Sequence, residues 1–263
     1  MTSMRPPAVA DLFYPADPRQ LARAVEDYLA RTAPPPAGEP PKAVVVPHAG
    51  FIYSGPVAAS AYARLRPLKG RVRRVLLIGP AHRVALRGLA APSAAAFATP
   101  LGPLPLDREA IARIAGLPQV TISDEPHRLE HGLEVQLPFI VACLGVVPLV
   151  PLVAGDARAE EVAEVIETLW DGPETLVAIS SDLSHYHDYE TARRMDAATS
   201  AAIEALDEGR IGWEDACGRV PISGLLQVAR KRGLKAQTVD LRNSGDTAGT
   251  RDEVVGYGAY VFA

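Results

Sequence analysis

Three aliphatic runs along the chain break off in the same manner. Val44-Val45-Val46 stops at Pro47-His48-Ala49-Gly50, Val75 to Ile78 stops at Gly79-Pro80-Ala81-His82, and Leu176 to Ile179 stops at Ser180-Ser181-Asp182-Leu183-Ser184-His185. An unbroken apolar run is the pattern of a strand buried on both faces, and ligands of open α/β sheets gather beyond the strands' carboxyl ends. The pattern therefore predicts three strands that deliver His48, His82 and His185 to one rim.

Amphipathic segments separate these runs. Asp17-Pro18-Arg19-Gln20 opens a helix with a capping residue and a proline at the first helical position, and Leu21, Val25, Tyr28 and Leu29 extend it to about Ala30. Thr32 to Pro41 is proline-rich and reads as an extended connection. Tyr53-Ser54-Gly55-Pro56 reads as the end of a loop, with a small-residue helix over Val57 to Leu65. Further short strands are expected at Leu86 to Ala91 and around Phe97, and a helix over Leu106 to Ala115 capped by Asp107. Val146 to Val153 is a strand whose prolines, Pro148 and Pro151, call for an interrupted ladder or an edge position. Asp156 is placed as the cap of a helix carrying Val162, Val165, Ile166 and Leu169. A long helix to about Leu206, short helices near Trp213 and over Pro221 to Lys231, and strands at Ala236 to Leu241 and Val254 to Phe262 complete the order. Alternation of strands and helices predicts one domain over residues 1–263, a three-layer α/β/α sandwich around a mostly parallel, mixed sheet.

Composition narrows the function classes. A 263-residue chain with 48% hydrophobic and 22% charged residues is that of an ordinary globule, and a net charge of −4 offers no attraction to nucleic acid or anionic membrane. No apolar run approaches the roughly 20 residues of a membrane span, and the N-terminus has no secretion-signal layout, so a cytoplasmic protein is expected. The two cysteines, Cys143 and Cys217, form no metal-type C-x-x-C pair and indicate no disulfide framework; Cys143 reads as core.

The chemistry lies in the histidines. All six, His48, His82, His127, His131, His185 and His187, fall at strand ends or in polar loops. Imidazole is the commonest ligand for divalent transition metals. Glycine and proline beside His48 and His82 let the chain turn so that the rings project over the sheet edge. Asp182 reads either as a carboxylate that orients an imidazole or as a helix cap. His127-Arg128-Leu129-Glu130-His131 also fits the H-x-x-E-H zincin pattern, but Gly132 and Pro138 argue against a stiff zinc-binding helix there. No nucleophile elbow, phosphate loop or dinucleotide fingerprint is present.

The stretches Val46 to Gly55, Gly79 to His82, Glu130 to Phe139 and Ser180 to Tyr186 together resemble the Memo family, whose bacterial members are called AmmeMemoRadiSam system protein B. The resemblance implies the fold of class III extradiol dioxygenases, which hold non-haem Fe(II) on two histidines and a carboxylate. It makes His48 and His82 the histidine ligands and His185 a catalytic base, with Asp182 and His131 around them. In animal Memo the third metal position is a cysteine in the loop before the last strand, and this chain has none there. Counting back from Val254-Val255-Gly256-Tyr257 gives Asp246 or Thr247; Asp246 restores a two-histidine, one-carboxylate set suited to Fe(II). Cu or Zn are the other metals, and Phe51 and Tyr53 are candidates to line a substrate space.

Two functions follow. One is metal-dependent oxidation of a small organic substrate by O₂. The other is a non-catalytic module holding a metal or a peptide, acting with AMMECR-type and radical SAM proteins; a phosphotyrosine pocket would want arginines near the cleft, such as Arg83. A zinc hydrolase using His127, Glu130 and His131 comes third. No nucleic-acid or membrane partner is expected.

Overall fold

A computed structural model describes residues 3–33 and 39–263. The four strands with the least exposed residues, Ala43–Val46, Thr175–Ser180, Arg74–Pro80 and Leu149–Ala154, lie side by side and parallel in that order. Their residues are almost wholly buried, which explains why these segments read as continuous aliphatic runs and not as alternating ones. Antiparallel strands extend the sheet on both sides. Val254–Phe262 pairs with Ala43–Val46 and itself receives Ala236–Asn243 and the short His185–His187; on the far side come Leu89–Ala91 and then Val120–Ile122. A small separate sheet joins Met4–Arg5, Ala96–Phe97 and Leu104–Pro105.

Helices cover both faces in the expected three layers. Pro18–Ala30, Phe51–Tyr62 and Leu137–Leu144 pack on one another, and Ala159–Leu169 packs on Arg219–Arg232. Asp17 caps the first helix through the backbone N–H groups of Arg19 and Gln20, and Leu21, Val25 and Leu29 form its buried stripe. Asp107 likewise caps Arg108–Ile114.

Several boundaries differ from the sequence expectation. The second helix begins at Phe51, not after Pro56. A proline in the second turn forfeits one backbone hydrogen bond, and the buried side chains of Phe51, Val57, Ala58, Ala61 and Tyr62 outweigh it. Phe51 is thus core. Pro151 lies inside the sheet, opposite Leu77. The Leu89–Ala91 strand meets only Val153 and Ala154, so the ladder is interrupted on that side, where proline's missing donor is tolerated. The helix after Asp156 starts at Ala159 with Arg158 as its cap residue, and Asp156 instead bridges back to Arg87. The Tyr189–Glu204 helix is capped by Asp188, which leaves Asp182 for another task. Most of the proline-rich connection after Ala33 lies outside the described residues.

Candidate metal centre

His48, Asp182 and His82 follow three adjacent parallel strands, so they emerge at one edge of the sheet. The Glu130-His131-Gly132 segment folds over that edge and brings a third imidazole. One ring nitrogen each of His48, His82 and His131 lies within 4.8 Å of the others. The His82 and His131 ring centres are 4.5 Å apart, and His48 meets both rings edge-on.

Hydrogen bonds fix which nitrogen His48 offers. Gln136 accepts from the Tyr62 hydroxyl on Oε1, so its Nε2 hydrogens go to Pro47 O, at 2.9 Å, and to Ser180 Oγ, at 2.8 Å. Ser180 Oγ donates its single hydrogen to Gly132 O at 2.6 Å. Its remaining lone pair faces His48 Nδ1 at 2.8 Å, so Nδ1 carries the hydrogen and Nε2 the free lone pair. His82 is set by a carboxylate. Its Nδ1–H and backbone N–H donate to the two oxygens of Glu130, each at 2.8 Å, and the Gly132 N–H donates to the same carboxylate. Glu130 is buried, and burial alone would raise its carboxyl, but the His82 ring and these backbone N–H groups together hold it down at about 2. Gly132 is needed for this closeness, since a Cβ there would lie 3.2 Å from Glu130 Oε1 and 3.3 Å from His48 Nδ1.

Electrostatics keep the His48 and His131 rings neutral. Burial, reinforced by the neighbouring His82, lowers His48 to about 3; burial, then His48 and His82, lower His131 to about 4. His131 Nδ1 is buried, lies 3.4 Å from Glu130 Oε1 without making a hydrogen bond among the described residues, and its ring is tilted against Phe13. Neutral imidazoles at His48 and His131, and a buried His131 nitrogen without a hydrogen bond among the described residues, fit a d-block cation.

Cys217 completes the floor. Its Sγ lies 3.4 Å from His48 Nε2 and accepts the Asp182 N–H at 3.3 Å, while burial pushes the thiol up to about 12. The Cys217 loop reaches this depth because residue 218 is glycine, whose Cβ would meet the Ser181 Cβ at 2.5 Å. Asp182 is buried, which raises its carboxyl, and Oδ1 accepts the His48 backbone N–H at 2.7 Å. It therefore holds the His48 backbone and orients no imidazole through a hydrogen bond. His185 stands half-exposed in the short strand beside Val255.

Among the described residues, Asp246 is not gathered with His48 and His82. Asp246 belongs to a 3₁₀ turn, where Oδ1 accepts the Tyr189 hydroxyl at 2.6 Å and Oδ2 accepts the Asn243 N–H. The residue gathered with His48 and His82 is His131. The zincin arrangement also dissolves. The helix containing His127 ends at Arg128, and His127 Nε2 donates to Ala90 O at 3.0 Å, pointing away from the His131 cluster. Glu130 and Cys217 are the residues that sequence reasoning undervalued. Glu130 had a signal, its adjacency to His131, whereas Cys217 offered only a lone cysteine before an apolar helix.

The fold is an α/β sandwich centred on parallel strands, and at the strands' carboxyl edge it gathers His48, His82 and His131, a group that could hold a metal ion. Comparison with known proteins takes this further: the family profile described as Memo-like protein matches residues 5–261. The chain is 35% identical over 277 residues to a MEMO1 family protein of Sulfolobus acidocaldarius, covering 97% of both, and 33% identical over 270 residues to one of Aquifex aeolicus, covering 98% of this chain and 99% of that one. It belongs to the Memo-like family. Among solved structures, an uncharacterized protein of Escherichia coli K12, JW3007, superposes with a TM-score of 0.49 at 12% identity, covering 82% of this chain and 98% of that one. Among the described residues no helix is long and apolar enough to cross a membrane.

Proposed function

We propose that the protein holds one d-block metal ion on His48, His82 and His131 and that the loaded site oxidises a small organic substrate with O₂. The observation that carries this reading is the hydrogen bonding that commits both His48 Nδ1 and His82 Nδ1 as donors, leaving Nε2 of each ring to the ion. A bound Fe(II) would supply the redox capacity and the open positions that O₂ chemistry requires; Cu suits the same imidazoles. The chain's own residues do the rest. Ser180 and Glu130 orient the two rings, the buried Asp182 fixes the His48 backbone, and His185 at the rim is placed to move protons for a substrate entering beside it.

Cys217 favours a second reading. A thiol 3.4 Å from His48 Nε2 adds a soft donor and the cluster contains no carboxylate oxygen, a set suited to Cu(I) or Zn held without turnover. In that reading the protein would act with AMMECR-type and radical SAM partners.

Metal content of untagged protein, followed by O₂ uptake with Fe(II) and a panel of catechols, tests both. Near-stoichiometric metal that is lost in His48→Ala and His82→Ala and kept in Asp246→Ala supports the centre, and O₂ uptake supports the oxidase reading. Bound metal without uptake supports the holding role. Protein that takes up neither Fe(II), Cu(I) nor Zn(II) under anaerobic loading refutes the centre.

A further inference from the structure

A cavity of about 580 Å³ opens between the end of the first helix, the Phe51–Tyr62 helix and the Ala236–Asn243 strand. None of the three clustered histidines lines it. Its size is that of a small-molecule site, which commonly encloses about 300–1,000 Å³. Three arginines face it, Arg31, Arg64 and Arg242, together with two carboxylates, Asp240 and Asp246.

The charges do not cancel. Arg242 spends its guanidinium on Asp240, with Nε 2.9 Å from Oδ1 and Nη2 2.5 Å from Oδ2, and Ser60 Oγ donates to the same carboxylate. Asp246 accepts from Tyr189 and lies 3.9 Å from Arg251, which is outside the lining. Arg31 and Arg64 are left over: among the described residues neither side chain has an acidic partner. Arg64 is half-buried as well, and burial lowers its guanidinium from the ordinary value. A solvated surface arginine keeps its head in water. Arg64 is half-buried without a counter-charge and lines the same cavity as Arg31, which is exposed and likewise unpaired among the described residues, so the lining carries uncompensated positive charge.

We propose that this cavity is an anion site, separate from the metal centre, that takes a small phosphorylated organic molecule on Arg31 and Arg64. Two uncompensated guanidiniums match the charge of about −1.5 to −2 carried by a phosphate monoester at neutral pH, and their planar forks suit phosphate oxygens. Ile52, Pro56 and Val239 provide an apolar wall for the organic part.

Calorimetric titration at low salt with phenyl phosphate and with inorganic phosphate tests the site in the full chain, before and after treatment with EDTA. Saturable binding is expected, tighter for phenyl phosphate, unchanged by EDTA, and weakened about tenfold or more in Arg31→Gln and in Arg64→Gln. Arg66→Gln, whose guanidinium pairs with Glu26, should bind as the parent does. Thermal melts confirm that each variant is folded, and Arg64→Lys, which keeps charge without the fork, should fall between parent and Arg64→Gln. No saturable binding by the parent, equal weakening in Arg66→Gln, or binding that survives both substitutions and vanishes with EDTA overturns the proposal.

Discussion

Glu130 Oε1 lies 2.8 Å from His82 Nδ1, and its other oxygen accepts the backbone N–H of the same histidine. One carboxylate thus sets both the position of His82 and the tautomer of its ring. Glu130→Gln removes the charge while keeping the size. A carboxylate that backs a ligating histidine is typically worth about 10–100-fold in metal affinity. A loss in that range, measured by chelator competition, is expected for the variant, and unchanged affinity would show that the ring is held by other means.

Ser180 carries the equivalent task for His48 and also serves Gln136 and Gly132. Ser180→Ala strips three buried groups of their partner at once. Each unsatisfied buried polar group costs about 1–3 kcal/mol. A drop of at least about 2 kcal/mol in unfolding free energy is expected, together with weaker metal binding, both read on the same preparation by urea titration and chelator competition.

Arg5 ties the N-terminus to the loop that carries the site. It donates to His127 O and Glu130 O, each at 2.6 Å, and pairs with the fully buried Glu134. Glu134 also accepts from Tyr14 and from the N–H groups of Ala8 and Val9. Arg5→Met leaves that carboxylate without its counter-charge, and breaking a buried pair from one side costs about 3–5 kcal/mol. Replacing both partners, Arg5→Met with Glu134→Gln, should recover part of the loss in a denaturation series.

Asp196 gives the clearest pH signature outside the metal centre. Its side chain is buried and accepts the Ser184 N–H at 3.1 Å, and burial raises its carboxyl above the ordinary value. The folded chain therefore binds more protons than the unfolded one between the two values, and stability falls as pH rises through that window. Asp196→Asn keeps an acceptor for Ser184 and cannot ionise. Its stability relative to the parent should increase from about pH 4 towards pH 8; a constant difference across that range would refute the assignment.

The strands that build the rim were legible because burial on both faces forces an aliphatic run, and the turn residues after Val46, Ile78 and Ile179 mark where each run ends. The third imidazole was legible only in part: His131 is expected beside His48 from the sequence, but not as the ring gathered with His48 and His82. Counting along the Arg242 to Glu253 loop selected Asp246, but chain position does not say which loop folds over a sheet edge, and here it is the segment of Glu130 to Gly132. Partners such as Ser180 and His48, 132 residues apart, share no local pattern that could pair them. Helix starts were misplaced where tertiary burial overrode proline, as at Phe51 and Pro56.

The hydroxyl of Ser180 belongs to a sheet strand, and it has no spare hydrogen or lone pair once Gly132, Gln136 and His48 are served. The His48 ring consequently cannot turn over to present its other nitrogen without unseating the sheet's own contacts. Folding has already met the entropy of arranging that ring, so binding one metal in place of another would need no rearrangement at His48. An ion held on these rings would then be selected by what the surroundings supply more than by any adjustment of the protein.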